Sequence, residues 1–147
     1  MTLVHLGGGS APELLRQQFR VTSTPEGERY AVWGTGEGAT EALKLALDKP
    51  EAVEALVLES PALDPSLEDR LSEVEVRTLI LFGTSDENSH TGGTYKEKMP
   101  SCSFILVYGA GRDIAGDRPE AFSSLVSDFL ERGERFVVSA RTSVIQP

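Results

Sequence analysis

The stretch of sequence that decides the fold reads Tyr30-Ala31-Val32-Trp33-Gly34-Thr35-Gly36-Glu37-Gly38-Ala39. Four residues typical of a β-strand run into a glycine-rich corner, which leads into a helical pattern. In that pattern the apolar residues recur with a period of about 3.6 and mark one buried face: Ala39, Ala42, Leu43, Ala46 and Leu47. Pro50 prevents the helix from continuing. A strand, a tight corner and a helix in this order predict an α/β unit.

The same alternation runs along most of the chain and predicts an α/β fold, a three-layer αβα sandwich with a mostly parallel sheet. The predicted strands are Thr2–His5, Phe19–Ser23, Tyr30–Trp33, Ala55–Glu59, Thr78–Phe82 and Ser103–Tyr108. The predicted helices are Ala11–Gln18, Ala39–Asp48, Ser66–Val74 and Pro119–Glu131. The stretch from Thr84 to Gly93 is predicted as a loop. Loops follow the strands that end near Trp33, Phe82 and Tyr108, and open α/β sheets bind ligands at such strand ends.

Length and composition exclude several classes of protein. A chain of 147 residues fits one domain, predicted over residues 1–133, with 134–147 as a C-terminal tail or an extra edge strand. The net charge of −9 without a basic cluster argues against a nucleic-acid surface. No apolar run approaches the roughly 20 residues of a membrane span. Cys102 is the only cysteine and the N-terminus does not resemble a secretory signal, so a reducing cytoplasm is the expected location.

The corner at Gly34–Gly38 resembles the nucleophile elbow of the α/β-hydrolases, a G-x-S-x-G turn between a strand and a helix. Gly34 and Gly38 match the outer glycines of that turn, which keep side chains off a tight corner. Gly36 stands where the family has its serine. Because glycine adopts the required backbone shape without steric cost, the corner can persist without its nucleophile.

Four further segments are similar to the family's pattern and follow in the family's order. The segment from Ala46 to Pro61 resembles the next helix, proline and strand, and the segment from Thr78 to Asp86 resembles the strand and loop of the triad acid. The segment from Tyr108 to Asp113, followed by Arg118 to Phe122, resembles the catalytic-histidine loop and the final helix. Near the N-terminus, His5 to Ser10 resembles the H-G-G-G oxyanion segment, with Leu6 in place of one glycine.

The resemblance covers most of the chain from Met1 to Glu131 and implies a shortened core. About ten residues separate Phe19 from Tyr30, too few for the strand and helix that normally precede the elbow. No insertion that could form a cap domain lies between Pro61 and Thr78. The resemblance therefore implies a minimal α/β-hydrolase-like core without a cap.

Carried onto this sequence, the family's triad is degenerate at Gly36, Asp86 and Arg112. Gly36 supplies no nucleophile, and Arg112 stands at the histidine position but stays protonated and cannot act as a general base. Asp86 matches the triad acid. Two interpretations of Asp86 stay open: an ordinary turn or cap residue, or a salt-bridge partner of Arg112 across the old triad site.

The remaining chemistry-bearing residues suggest binding more than catalysis. Gly7, Glu37, Arg112 and His90 are the candidate binding residues, for a small anion or carbonyl compound. His5 is expected to pack at a strand end, His90 to be a solvated loop residue, and Cys102 to be an inert, partly buried thiol. The two histidines lie far apart and show no metal-ligand spacing, so neither a metal nor another cofactor is expected.

The sequence favours a catalytically inactive α/β-hydrolase-like protein that binds a small molecule or a protein partner, and two alternatives stay open. One is an active esterase of the serine-hydrolase type with a rearranged site that uses Asp86 or Ser85. The other is a dinucleotide-binding turn at Gly34, Gly36 and Ala39, with Glu59 about twenty residues later for the ribose, although Glu37 places negative charge where a phosphate would lie. A trimmed sheet leaves an edge to cover, which predicts self-association.

Overall fold

A computed structural model describes residues 1–136 and 144–147 of the chain. In this part of the chain, one seven-stranded sheet has the order β2-β1-β3-β4-β5-β6-β7, and all neighbouring strands are parallel except β6 and β7. The strands are β1 (Thr2–Leu6), β2 (Arg20–Thr22), β3 (Tyr30–Thr35), β4 (Val53–Glu59), β5 (Arg77–Gly83), β6 (Cys102–Val107) and β7 (Val144–Ile145). The predicted mostly parallel sheet is confirmed.

Helices cover both faces of the sheet: α1 (Glu13–Gln18), α2 (Gly38–Asp48), α3 (Pro65–Glu68), α4 (Gly92–Lys98), α5 (Ile114–Asp117) and α6 (Pro119–Arg132). Because successive side chains of a strand point to opposite faces, β3 buries Trp33 on one face and Val32 on the other. Trp33 packs in a core with Leu15 of α1 and Phe122 of α6, whereas Val32 packs in a second core with residues of α2, α3 and α4. The three-layer αβα sandwich is confirmed.

The strand order reverses at β1, which positions the site. The chain runs from β1 outward to β2 and then returns to place β3 on the other side of β1. At the carboxyl end of this pair, Leu6 is in register with Gly34. In open α/β sheets, ligands bind in the crevice at such a switch point, so the fold directs attention to the loops after Leu6 and Thr35.

Two helices of the described residues, α4 and the four-residue α5, lie outside the predicted set. Gly92–Lys98 forms α4, although the predicted loop extended to Gly93 because two adjacent glycines normally interrupt a helix. A Cβ at Gly92 would lie 2.3 Å from the Phe104 ring, and Tyr95 of the same helix is fully buried. The glycine therefore lets α4 pack directly on β6, and tertiary packing outweighs the unfavourable local propensity.

The predicted helix Ser66–Val74 is divided in two. The chain forms the four-residue α3 and then a 3₁₀ turn at Leu71–Glu73. The backbone hydrogen bonds run from Arg70 N to Leu67 O and from Glu73 N to Arg70 O, the three-residue spacing of a 3₁₀ conformation. Tightening the turn in this way brings the buried Leu67 and Leu71 into the same core.

Near the C-terminus, Val144 and Ile145 form β7, which pairs antiparallel with Val107 and Leu106. Most of the β-prone segment at 135–141 lies outside the described residues, and the division of the chain at residue 133 stays a prediction. No helix in the described part of the chain is long and apolar enough to cross a membrane.

Candidate functional site

The corner between β3 and α2 is built on Gly36. Its φ of +58° lies in the left-handed region, which glycine adopts without steric cost. A Cβ placed on Gly36 would meet no atom within 4 Å. A side chain at this position would therefore project into open space, as expected of the central residue of the elbow.

The two flanking glycines are required for a different reason, close approach of the backbone. A Cβ on Gly34 would lie 2.7 Å from Gly38 O, and a Cβ on Gly38 would lie 2.0 Å from Leu6 O. The first turn of α2 thus rests directly on β3 and on the end of β1. Any side chain at these two positions would force the helix away from the sheet.

An open cleft of about 530 Å³ lies over this corner, at the switch point of the sheet. Gly36, Glu37 and Arg112, three of the positions predicted from the sequence, meet in its wall. Gly7 is exposed but does not line the cleft; the next two glycines line it, and a Cβ on Gly7 would lie 2.5 Å from Thr35 O. The lining residues are Gly8, Gly9, Thr35, Gly36, Glu37, Ala62, Arg112 and Asp113.

The cleft carries both signs of charge. The side chains of Glu37 and Arg112 are exposed, while Asp113 caps α5 by accepting a hydrogen bond from Gly116 N at 2.9 Å. The backbone of Arg112 is fixed, because Ser60 Oγ donates to its carbonyl oxygen at 2.7 Å. The guanidinium group is therefore mounted on an anchored backbone at the rim.

Asp86 forms no ion pair with Arg112 in the described part of the chain, so the salt-bridge interpretation is wrong. The carboxylate is buried, at 6% exposure, and its Oδ1 accepts a hydrogen bond from Asn88 N at 2.9 Å. Asp86 N in turn donates to Gly83 O. An aspartate that binds the amide two residues ahead forms a local turn, which satisfies the side chain without a distant cation.

His90 does not reach the cleft. It is exposed, and its Nδ1 lies 3.0 Å from Glu87 O in the same loop. The residues that line the cleft include neither His90 nor Asp86. Of the selected positions, Gly36, Glu37 and Arg112 thus come together and these two remain apart.

A buried polar cluster lies directly beneath the cleft and centres on Glu59, the last residue of β4. Glu59 is only 1% exposed and accepts hydrogen bonds from Trp33 Nε1 at 2.9 Å, from Thr35 Oγ1 at 3.1 Å and from Ala115 N at 2.9 Å. Burial raises the pKa of Glu59, and these three hydrogen bonds oppose the rise. We call His5, Trp33, Thr35 and Glu59 the Glu59 cluster.

His5 completes this cluster from β1. Its ring stacks on Trp33 with centroids 3.6 Å apart, and its Nε2 lies 3.1 Å from Thr35 Oγ1. Because Thr35 donates its single hydroxyl proton to Glu59, the network assigns the proton to Nε2 of His5, which donates to Thr35. Burial lowers the pKa of His5 and favours the neutral ring. His5 packs at a strand end, as predicted.

Residue spacing predicts Glu59 only as a ribose-binding acid and does not reveal its place in this cluster. Its burial and its three protein donors remove it from that role, which leaves the dinucleotide alternative without its acidic residue. One sequence signal could have found the cluster. Glu59 ends the wholly apolar run Ala55–Leu58, and a charge at the end of a buried strand needs partners.

Other reactive groups in the described part of the chain do not form a second centre. Burial raises the pKa of Cys102 to about 12, which favours the protonated thiol near neutral pH, and the side chain is half-buried, as predicted. Among the described residues, no group of three or more histidine, cysteine, aspartate or glutamate side chains could hold a metal ion.

No family model matches the chain, and no curated protein matches it. Several solved structures, however, do match the chain. The α/β-hydrolase MGS-MChE2 from a sediment metagenome of the Mar Chica lagoon superposes with a TM-score of 0.76 at 17% identity, over 90% of this chain and 91% of that one. MenH from S. aureus gives a TM-score of 0.73 at 15% identity, over 90% and 94%.

The chain has the α/β-hydrolase fold. A predicted CIB-like hydrolase from Thermoplasma acidophilum agrees with this, with a TM-score of 0.68 at 22% identity over 71% of this chain. The match covers 52% of the Thermoplasma protein, so the chain spans about half of its length. The TM-scores establish the fold, and at identities of 15–22% the likeness extends to the fold alone.

Proposed function

We propose that this chain is a binding module on the hydrolase fold, whose elbow cleft holds a small molecule and performs no hydrolysis. The observation that carries the proposal is the open cleft of about 530 Å³ above a corner that presents Gly36 instead of a nucleophile. Concave sites of this size suit small molecules better than a protein surface. The cleft therefore favours a small ligand over a protein partner.

The groups around the cleft suit a carboxylate or a carbonyl oxygen. The N-terminus of α2, an 11-residue helix, points its partial positive charge at the elbow, although Ala39 N and Thr40 N already donate to Gly36 O and Glu37 O. Arg112 adds a full positive charge at the rim. Glu37 adds a negative charge beside the same helix end, which disfavours a multiply charged anion. A monocarboxylate or a neutral carbonyl compound fits this balance.

Binding is tested by titrating the ¹⁵N-labelled chain with benzoate, and with benzamide as the uncharged control. We expect saturable shifts of the amides of residues 36–38 and of the Arg112 side chain, at millimolar ligand. Arg112→Gln should weaken benzoate binding and leave benzamide binding almost unchanged. An absence of shifts at the elbow with both compounds would contradict the proposal.

A second candidate function is a rearranged hydrolase in which Thr35 is the nucleophile and His5 its base. It is favoured by the 3.1 Å contact between Thr35 Oγ1 and His5 Nε2 and by the place of Thr35 in the cleft wall. It is disfavoured because Thr35 directs its proton to Glu59 and His5 acts as a donor. The ring nitrogen that faces Thr35, Nε2, then carries a proton and cannot accept the proton of the hydroxyl group.

Nitrophenyl acetate and butyrate separate the two candidates. We expect wild type and Thr35→Val to give the same slow background hydrolysis and no labelling by a fluorophosphonate probe. Turnover that is lost in Thr35→Val and retained in Thr35→Ser would establish the rearranged hydrolase and overturn the inactive module.

We also propose that the chain self-associates through an edge of its sheet, because an uncovered edge offers unpaired backbone groups. The described edge strands are short, three residues in β2 and two in β7, so the association should be weak. Sedimentation velocity at high micromolar concentration is expected to show concentration-dependent dimer. A monomer throughout would contradict self-association.

A further inference from the structure

The end of β4 contacts both walls of the cleft. On the elbow side, Gly36 N donates to Glu59 O at 3.1 Å. On the opposite side lies the rim loop, residues 108–118, which carries Arg112. There Ser60 Oγ donates to Arg112 O at 2.7 Å and Ala115 N donates to Glu59 Oε2 at 2.9 Å. Two adjacent residues thus join the elbow to the rim loop.

The backbone at this junction is strained. Ser60 has a φ of +48°, and it is the only non-glycine residue with a positive φ in the described part of the chain. The residue is also buried, at 7% exposure. Strain of this kind persists only where the surrounding structure holds it, and it is concentrated at functional sites. Here it accompanies the hydrogen bond that anchors Arg112.

We propose that Glu59 and Ser60 are positioning residues that form a latch, holding the rim loop and Arg112 at a fixed distance from the elbow. The latch is defined by three hydrogen bonds: Glu59 to Ala115, Ser60 to Arg112, and Glu59 to Gly36. This inference rests on the proposed function for its effect on ligand affinity. Its effect on the rim loop stands independently of any ligand.

A carboxylate suits the latch because both of its oxygens accept hydrogen bonds. Oε1 accepts from Trp33 and Thr35, and Oε2 accepts from Ala115. A glutamine has one acceptor oxygen, which should stay with the two donors on the Oε1 side. Its NH₂ group would then face Ala115 N–H, two donors in opposition. Glu59→Gln therefore releases the rim loop while it keeps the shape of the side chain.

Protonation of Glu59 acts on the same contacts, because an added O–H turns one accepting oxygen into a donor. The titratable groups that face Glu59 are His5, through the Thr35 hydroxyl, and Asp113, whose negative charge favours the protonated form. The latch should loosen together with this protonation. Because burial raises the pKa of Glu59, this loosening should begin at a higher pH than the protonation of an ordinary glutamate.

Amide hydrogen exchange without any ligand tests the latch. We expect Glu59→Gln to speed hydrogen exchange of the Ala115 amide about tenfold or more, because the amide loses one hydrogen bond to a charged group. Amides of β5, outside the latch, serve as the internal control and should keep their protection. Unchanged exchange at Ala115 in a folded Glu59→Gln chain would overturn the proposal.

Ser60 supplies a second pair of variants if Glu59→Gln does not fold. Ser60→Ala removes the bond to Arg112 O and keeps the strained φ, whereas Ser60→Gly removes the bond and relieves the strain. Both should speed exchange of the rim-loop amides, and Ser60→Gly should unfold at higher urea than Ser60→Ala. Protection equal to wild type in both would overturn the role of Ser60.

Benzoate titration of the same variants tests whether the latch affects ligand binding. If wild type binds benzoate, Glu59→Gln should weaken binding about tenfold while the residual shifts stay at residues 36–38. If wild type does not bind, the proposed function fails, and the exchange data still decide whether the latch exists. Faster Ala115 exchange with unchanged benzoate affinity would confirm the latch and overturn its role in binding.

Discussion

The elbow has a buried side and an open side, and the two sides differ in how closely their groups are packed and hydrogen-bonded. On the buried side, Trp33 and Thr35 donate to Glu59, and Gly34 and Gly38 bring backbone into close contact. On the open side, Gly36 and Glu37 face a cleft, and the Cβ position of Gly36 meets nothing. One short segment of chain is therefore tightly packed on one side and faces an open cleft on the other.

The difference indicates which constraints hold a corner of this kind in place. Close backbone approach and a satisfied polar cluster depend on the fold, and they do so whether or not a nucleophile is present. The open side lacks such constraints, so the hydroxyl and imidazole of a hydrolase can be absent while the corner persists.

Alanine substitutions at two glycines give the largest contrast. Gly38→Ala should lower the free energy of unfolding by about 3 kcal/mol or more, because its Cβ would overlap Leu6 O at 2.0 Å. This exceeds the roughly 1 kcal/mol that alanine gains over glycine in a helix. Gly36→Ala should cost only about 1–2 kcal/mol, the penalty of a left-handed backbone. Urea unfolding measures both, and equal losses would remove the distinction between the two sides.

Glutamates on the two sides should behave differently. Glu59→Ala leaves Trp33 Nε1, Thr35 Oγ1 and Ala115 N without their acceptor, and we expect a loss of about 3 kcal/mol. Glu37→Ala removes an exposed side chain and should change stability by less than about 0.5 kcal/mol. Urea unfolding of both variants at one pH makes the comparison. A Glu59→Ala chain as stable as wild type would mean that the buried cluster contributes nothing.

The pH dependence of stability should originate on the buried side. The raised pKa of Glu59 gives stability that is present below its ordinary value of 4.5 and is lost as the pH rises through the folded pKa. The lowered pKa of His5 gives stability that is present above its ordinary value of 6.5 and is lost as the pH falls toward the folded pKa. The two slopes oppose each other between these values.

Urea unfolding from pH 4 to pH 8 separates these slopes. Glu59→Gln should remove the component that falls with rising pH, and His5→Asn should remove the component that rises. Glu37→Gln, on the open side, is the matched control and should reproduce the wild-type profile. If the pH profile of stability changes in the control as much as in Glu59→Gln, Glu59 is not the group that causes this pH dependence.

The smallest effect on stability is expected at Arg112, whose side chain is exposed. Arg112→Gln should change the free energy of unfolding by less than about 0.5 kcal/mol, because the variant keeps the backbone oxygen that Ser60 holds. Its effect should appear in benzoate affinity instead. A large loss of stability would show that the guanidinium belongs to the structure and not to the cleft.

Local patterns were enough to locate the six parallel strands, because a buried strand must be apolar and must end in a turn. They also located α2 and α6, whose apolar faces repeat at helical spacing. They failed at Gly92, where the Phe104 ring makes glycine favourable inside a helix, and at Ser66–Val74, where burial of Leu67 and Leu71 tightens the chain. Both failures involve contacts between residues distant in sequence or tightening imposed by the core.

The sequence by itself determined the hydrolase-like order of strands and helices and the absence of a serine at position 36, because both are properties of local pattern and residue type. Only the tertiary structure decided that Asp86 serves its own turn, that Arg112 reaches the cleft, and that Glu59 joins three segments beneath it. The physical reason is that a side chain takes its partner from whatever the fold brings within about 3 Å, the reach of a hydrogen bond. The spacing of residues along the chain does not determine which groups lie within that distance.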